Sequence, residues 1–386
     1  MKIVLAPDSF KQSMTSKQAI DAMVSGISSI LPKANIIGVP MADGGEGTVD
    51  SLVHATHGYF VSTTVLNPFK QPVDARYGIL GDSNTAVIEM SAASGIQYTS
   101  KHHMAPMTGT SYGTGQLVVD ALNRHVKQIM IGLGGSATTD GGEGLASALG
   151  VRFYDSNHHL IKAEGGKGLS QIEQIDLSHL DQRLKTTKIL MASDVSNPLV
   201  GPKGAAHVFA PQKGANHEMV IQLDQNLKHY GQIIQKDLGK NILDVHGAGA
   251  AGGLGAGLLA FTNAKIHHGI QLVIATTHLK AKLKNADIVI TGEGSIDDQT
   301  QYGKTPIGVA KTAKEVAPNA LVIALGGRVK LSDDHLYQLG IDAILPIVPG
   351  AINLSDAMKS GPQNIKLVAN NIARIIKHNH LLFNSK

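Results

Sequence analysis

The chain contains no cysteine and no tryptophan, and only 4% of its residues are aromatic. Without cysteine there can be no disulfide, no thiolate nucleophile and no cysteine-ligated zinc. Scarce aromatics, 34 basic residues set against 30 acidic ones and no long basic run together disfavour nucleic-acid binding. Long apolar runs are also missing. The least polar stretch, Gly247–Phe261, is short for a membrane span and consists mostly of Gly and Ala. The first seven residues run straight into a strand-like segment and Asp8, without the charged start, apolar core and small-residue cleavage site of a signal peptide. The expectation is a cytoplasmic protein with no membrane or nucleic-acid partner, and the net charge of +4 is compatible with an anionic small ligand.

What the chain has in excess is glycine, 43 residues with no collagen-like period, and much of it brackets acid. The pentapeptide Asp-Gly-Gly-Glu-Gly occurs at Asp43–Gly47 and again at Asp140–Gly144, and a third acidic turn, Gly292-Glu293-Gly294, leads to Asp297. Glycine lets the backbone reach positive φ and approach a bound group, while carboxylate oxygens suit Mg²⁺ or a hydroxyl proton. Any one copy is better explained as a tight turn, because Asp and Gly dominate turns. Three copies, each after or near an apolar run, favour a site for metal-assisted phosphate chemistry.

At 386 residues the chain is long enough for two or three domains with full cores. Its two ends share one texture. The apolar run 2–6 reaches Pro7-Asp8-Ser9, a helical spacing follows over 16–31, and a strand at 36–39 runs into the first acidic turn. Later, a strand at 287–291 meets Gly292, 304–316 is helical, 321–325 is a strand ending at Gly326-Gly327, 343–347 is another strand, and 365–378 closes as a helix. Strand, loop and helix in repetition predict a parallel sheet covered on both faces, with function at the carboxyl ends of its strands. The middle predicts short strands and hairpins at 60–65, 73–79 and 85–90, then a helix at 114–123 and strands at 128–131 and 188–192. This organisation implies a discontinuous first domain, 1–66 plus 286–386, and an inserted α/β domain, 67–285.

Residues 132–144 hold six glycines between a strand and a helical run, a loop suited to cradling the phosphates of ATP on backbone N–H groups, although no Walker A lysine is present. Gly247–Gly252 matches GxGxxG, but Asp and Glu are absent between Asp244 and Asp287, where a dinucleotide site needs its ribose acid. Tight helix packing is the better reading of that run. The loop from Gly292 to Lys304 puts carboxylates and a lysine together, which suits phosphoryl transfer as well as a plain helix cap. Among 18 histidines the pairs His102-His103, His158-His159 and His267-His268 cannot turn both rings to one metal from regular structure, and no HExxH occurs.

Taken in order, the segments APDSFK (6–11), MADGGEGT (41–48), GLGGSATTDGGEG (132–144), DVSNPLVGPKGAA (194–206), FAPQKGA (209–215), GAGAAGGLGAG (247–257), ADIVITGEGSID (286–297) and GGRV (326–329) resemble the bacterial glycerate kinases unrelated to P-loop kinases. The resemblance covers nearly the whole chain. It implies a flavodoxin-like α/β domain carrying a large inserted mixed-sheet α/β domain, with the active site in the interdomain cleft. Three positions depart from the family pattern: Gln12 and Ala210 where Gly is usual, and Ser295 where Arg is usual.

The activity expected from the resemblance is ATP- and Mg²⁺-dependent phosphorylation of D-glycerate, with 2-phosphoglycerate the implied product, by a monomer or homodimer. Within it, Asp43 and then Asp8 are expected to take the hydroxyl proton, with Lys304 at the transferring group. Lys11, Arg328 and Ser9 are expected to bind glycerate. Gly134, Gly135, Ser136 and Lys213 would cradle phosphate, and Mg²⁺ would fall to some of Asp194, Glu293 and Asp297. A hydroxy-acid dehydrogenase or a non-catalytic sugar-acid sensor are the alternatives.

Overall fold

Residues Lys2–Leu5 are an interior strand of a five-stranded sheet, because Ile3, Val4 and Leu5 are buried and their backbone pairs on both edges. In the computed structural model, which describes residues 1–100, 104–162, 164–332 and 334–383, this strand lies parallel to Asn35–Gly38 on one side and Ile288–Asp297 on the other. Leu321–Lys330 and Ala343–Pro346 continue the sheet in parallel. Numbered within the sheet, the spatial order is 2-1-3-4-5, the flavodoxin-like arrangement. The pair His102-His103 lies outside the described residues.

The chain divides into two compact units. The first comprises Met1–Asp43, Asp50–His57 and the chain from Ile270 onward, and the second comprises Gly44–Val49 and Gly58–Gly269. In the first unit, Ile3, Leu5, Ile288, Ile290, Ile323 and Leu325 from the sheet pack with Ile20, Met23 and Ile27 of helix Ser16–Ser28 and with Ile365, Ala369 and Ile372 of helix Gly361–Phe383. Helix Ser16–Ser28 begins with a capping box: Thr15 Oγ1 accepts from Gln18 N at 3.2 Å and Gln18 Oε1 accepts from Thr15 N at 2.9 Å. Gly26 lets the two helices approach, since a Cβ there would lie 2.4 Å from the Lys366 carbonyl.

The second unit is built on a six-stranded mixed sheet in the order Lys265–His267, Lys188–Ala192, Gln128–Gly132, Thr85–Glu89, Pro72–Ile79, Tyr59–Leu66. The first four strands are parallel, and the last two form a hairpin paired along its whole length. That pairing draws Tyr59–Leu66 into the second unit, ahead of the boundary expected near residue 66. A small antiparallel sheet of Arg152–Tyr154, Leu160–Ile161 and Gln174–Asp176 lies in the same unit. Among the described residues no helix is long and apolar enough to cross a membrane.

Candidate active site

In an open parallel sheet the crevice for ligands lies beyond the carboxyl ends of the strands, where the strand order reverses. In the first unit that point falls between Lys2–Leu5 and Ile288–Asp297, and Asp8 and Glu293 stand at it. The Asp8 backbone N–H donates to the Gly292 carbonyl at 2.8 Å, which ties the loop after the first strand to its neighbour. Met41 N donates to the Pro7 carbonyl at 3.1 Å and to Ser16 Oγ at 3.2 Å, which fixes the approach of the chain to Asp43.

These carboxylates are crowded. Asp8 is 6% exposed, with Oδ2 accepting from Thr305 Oγ1 at 2.6 Å and Oδ1 from Ser9 N at 2.6 Å. Burial, then the charge of Asp43 and more weakly that of Glu293, push its carboxyl up to about 7 against those hydrogen bonds. Glu293 is also pushed up to about 7, first by burial and then by Asp43 and Asp297, with Lys304 and the Thr300 hydroxyl opposing. Lys304 Nζ stands 3.9 Å from Glu293 Oε1 and 3.7 Å from Asp297 Oδ1. Asp297 caps the short helix Asp298–Tyr302 through Gln299 N, so the capping reading and the site reading of this segment hold together.

The segment is not the loop expected from its glycines. Strand Ile288–Asp297 runs through Gly292 and pairs with Leu321–Lys330 as far as Asp297 opposite Lys330, with Ser295 opposite Arg328. Glycine continues the strand here because a Cβ on Gly292 would lie 2.3 Å from the Leu325 carbonyl. Arg328 and Lys11 are exposed, and Ser9 is half-buried beside Asp8.

In the second unit the glycine loop follows strand Gln128–Gly132. Only its first half is open: Gly134 and Gly135 are exposed, whereas Thr138, Thr139, Asp140 and Glu143 are fully buried. This corrects the reading of 132–144 as one continuous anion nest. Asp140 turns inward and accepts from Ser111 N and Ser111 Oγ, each at 2.7 Å, and from Gly142 N at 3.2 Å and Gly144 N at 3.3 Å. The first N–H groups of helix Glu143–Ala148 are therefore satisfied from within. The second acidic turn is a buried cap, although its five residues are identical to the first.

Lys213 is buried behind the loop, its Nζ donating to the Thr138 carbonyl at 2.5 Å and to Ser136 Oγ at 3.1 Å. Desolvation lowers it to about 7, with Asp140 opposing. The GAGAAGG run packs against the same loop: Gly252 has φ +69, and a Cβ there would lie 1.9 Å from the Thr138 carbonyl. Tight packing is thus its structural role, as its lack of a ribose acid suggested. Glu89, which the sequence did not single out, accepts from Val49 N at 2.9 Å and sits level with Gly132 at the carboxyl end of its strand. Asp194 follows the neighbouring strand and accepts from Gly269 N at 3.1 Å, with His268 Nδ1 3.4 Å away.

The three departures from the family pattern each have a place. Gln12 adopts φ 63, Ala210 has an ordinary helical backbone, and the Ser295 hydroxyl donates to Asp297 Oδ2 at 3.3 Å. Among the described residues no group of three or more His, Asp and Glu side chains forms a ready-made metal centre. Mg²⁺ rarely needs one, since it keeps waters and takes one or two carboxylates plus substrate phosphates. The mutual repulsion of Asp8, Asp43 and Glu293 suits a cation of that kind.

Carboxylates raised toward 7 beside a lysine, at the switch point of a parallel sheet, mark this end of the first unit as the candidate active site. Comparison with known proteins narrows the class to kinases. The model of the glycerate kinase family matches residues 3–377. Glycerate kinases of Halalkalibacterium halodurans and Bacillus subtilis are 48% and 46% identical over 377 residues, each alignment covering 98% of both chains. The glycerate 2-kinase of Escherichia coli is 44% identical over 375 residues, covering 97% of both. A crystal structure from Salmonella typhimurium LT2, assigned as glycerate kinase 2, matches with a TM-score of 0.89 at 44% identity, covering 98% of this chain and 99% of that one. The chain belongs to the glycerate kinase family.

Proposed function

We propose that this kinase transfers the γ-phosphoryl group of ATP to the 2-hydroxyl of D-glycerate, giving 2-phosphoglycerate and ADP. The observation that carries the reading is the crowded carboxylate group of Asp8, Asp43 and Glu293 with Lys304 beside it, in a chain that matches the glycerate kinase family from residue 3 to 377. Phosphoryl transfer asks little covalent chemistry of a protein beyond positioning and charge neutralisation. Asp43 is the candidate for accepting the hydroxyl proton. Asp8, at about 7, is the second. Lys304 offsets charge on the transferring group, while Lys11 and Arg328 take the glycerate carboxylate and Ser9 a hydroxyl.

Gly134 and Gly135 offer exposed backbone to the nucleotide phosphates. Lys213 and Ser136 act from behind them, bracing the loop through the Thr138 carbonyl. Mg²⁺ supplies charge neutralisation across the phosphates when bound, and its candidate ligands are Glu293 and Asp297 in the first unit and Asp194 in the second. A cytoplasmic setting follows from the need for ATP.

The direct test incubates the protein with ATP, Mg²⁺ and D-glycerate, follows ADP release, and identifies the product by ³¹P NMR, with L-glycerate and metal-free controls. Turnover with the D-acid and metal giving the 2-phosphate is expected. A 3-phosphate product would overturn the regiochemistry alone, and binding without turnover would leave a sensor. Asp43→Asn should lower kcat by about 10²–10⁴-fold with the fold intact; an unchanged kcat would remove Asp43 from the mechanism.

A further inference from the structure

The second unit contains a cavity of about 540 Å³ lined by none of the residues to which the kinase reaction has been assigned. Its volume lies in the range of small-molecule sites. Its floor is apolar, formed by Leu66, Val151 and Ile161. Its charged lining is of one sign: Lys70, Arg152 and Lys162 contribute, His179 lies beside them, and no Asp or Glu is among the lining residues.

Local backbone geometry brings these cations together. Lys70 sits in the turn between strands Tyr59–Leu66 and Pro72–Ile79 with φ 61, and Asn67 Oδ1 holds that turn by accepting from Phe69 N at 2.9 Å and Gln71 N at 3.0 Å. Lys70 Nζ donates to the Lys162 carbonyl at 3.1 Å, which joins the turn to strand Leu160–Ile161. Elsewhere in the lining Gly150 has φ +99, and a Cβ there would lie 2.1 Å from the His179 carbonyl. Glycine is thus what allows the His179 segment to close there. Asp176, which feels His179 and Arg152, is engaged by the Ser178 backbone and hydroxyl at 2.7 and 2.9 Å.

We propose that this cavity is a binding site for a small phosphate monoester with an apolar body, the body on Leu66, Val151 and Ile161 and the phosphate facing Lys70, Arg152 and Lys162. An apolar floor with several cations and no carboxylate selects such a ligand over a neutral or cationic isostere, because only the anion gains from the cations what it loses in desolvation.

The test uses the full chain with ¹³C-labelled Ile, Leu and Val methyls, titrated with phenyl phosphate, benzoate, benzyl alcohol and phenyltrimethylammonium. Phenyl phosphate should shift the methyls of Leu66, Val151 and Ile161 with a Kd at or below ~1 mM. Benzoate should bind more weakly, and the neutral and cationic probes should not bind. Arg152→Glu with Lys162→Glu should weaken phenyl phosphate at least about tenfold, leaving kcat and the melting temperature of the ligand-free kinase unchanged. Equal binding of benzyl alcohol, methyl shifts confined to other regions, or an unchanged Kd in the double variant would each overturn the proposal.

Discussion

The Thr305 hydroxyl donates to Asp8 Oδ2 at 2.6 Å, across 297 positions of sequence, and it is the strongest single influence keeping a buried carboxyl from rising further. Thr305 is itself fully buried at the start of helix Thr305–Val316. A hydrogen bond to a charged group is worth about 1.5–3 kcal/mol, so its loss matters most where Asp8 must be ionised. Thr305→Val keeps the shape and removes the donor. Its acid limb in kcat/KM against pH should move to higher pH, with activity at pH 7 down about tenfold and partly recovered at pH 9. A parallel profile at all pH values would show that the ionisation of Asp8 does not limit the reaction.

Asp8 should also cost the fold stability. Its carboxyl is raised from 3.8 to about 7 in the native state, so as pH rises the unfolded chain releases its proton first. Between those two values the native state binds more protons, stability falls with rising pH, and the loss is complete above about 7. At about 1.4 kcal/mol per pH unit, the penalty at pH 8 is on the order of 2–4 kcal/mol. Asp8→Asn, neutral throughout, should therefore melt higher than the parent at pH 8 in chelator, with the gain shrinking to nothing by pH 4. A gain that is the same at both pH values would mean the effect is packing and not ionisation.

The buried acidic turn makes the opposite prediction for activity and stability. Ser111 Oγ donates to Asp140 Oδ2 at 2.7 Å and accepts from Leu145 N at 3.0 Å, so one hydroxyl serves a buried carboxylate and a helix N–H together. Ser111→Ala should lower unfolding free energy in urea by about 2–4 kcal/mol with an unchanged m-value. The KM for ATP should stay within about threefold, because the exposed half of the loop is held apart from Ser111, with the Gly135 carbonyl accepting from Ile96 N at 2.8 Å. An unchanged urea midpoint would show that water replaces the hydroxyl.

Much of this was legible in the sequence, and the rest was hidden for physical reasons. Strand Lys188–Ala192 and the hairpin Tyr59–Leu66 with Pro72–Ile79 follow their apolar patterns closely, and the carboxylates at the ends of the first unit's strands stand where the acidic turns placed them. The identical pentapeptides could not be told apart, because what buries Asp140 is Ser111, 29 residues earlier, together with helix Ala250–Phe261 packed on the loop. Gly292 read as a strand end, yet its pairing with Leu325 carries the strand on to Asp297. The 22-residue helix His217–Leu238 went unread although Val220, Leu223, Leu227, Tyr230 and Ile234 bury one face at helical spacing. Its polar residues mask that stripe in any short window. Thr305 carried no signal, and Thr300 was legible only as part of a helix cap, since a threonine's bond to a carboxylate depends on which one folds against it.

Gln12 offers a departure from the family pattern that can be read energetically. It holds φ 63 in a tight turn closed by Phe10 N on the Met14 carbonyl at 2.9 Å and Met14 N on the Phe10 carbonyl at 3.0 Å. An L-residue pays roughly 1–2 kcal/mol in this region, and glycine, the usual occupant in the family, pays instead about 0.5–1 kcal/mol in chain entropy. The Gln12 side chain is exposed, so no packing is lost when it is removed. Gln12→Gly should therefore stabilise the kinase by up to about 1 kcal/mol in urea and leave the KM for glycerate unchanged. If the variant instead unfolds at the same urea concentration and its KM rises several-fold, the glutamine is retained for contact with substrate next to Lys11, and the strained backbone is tolerated for binding.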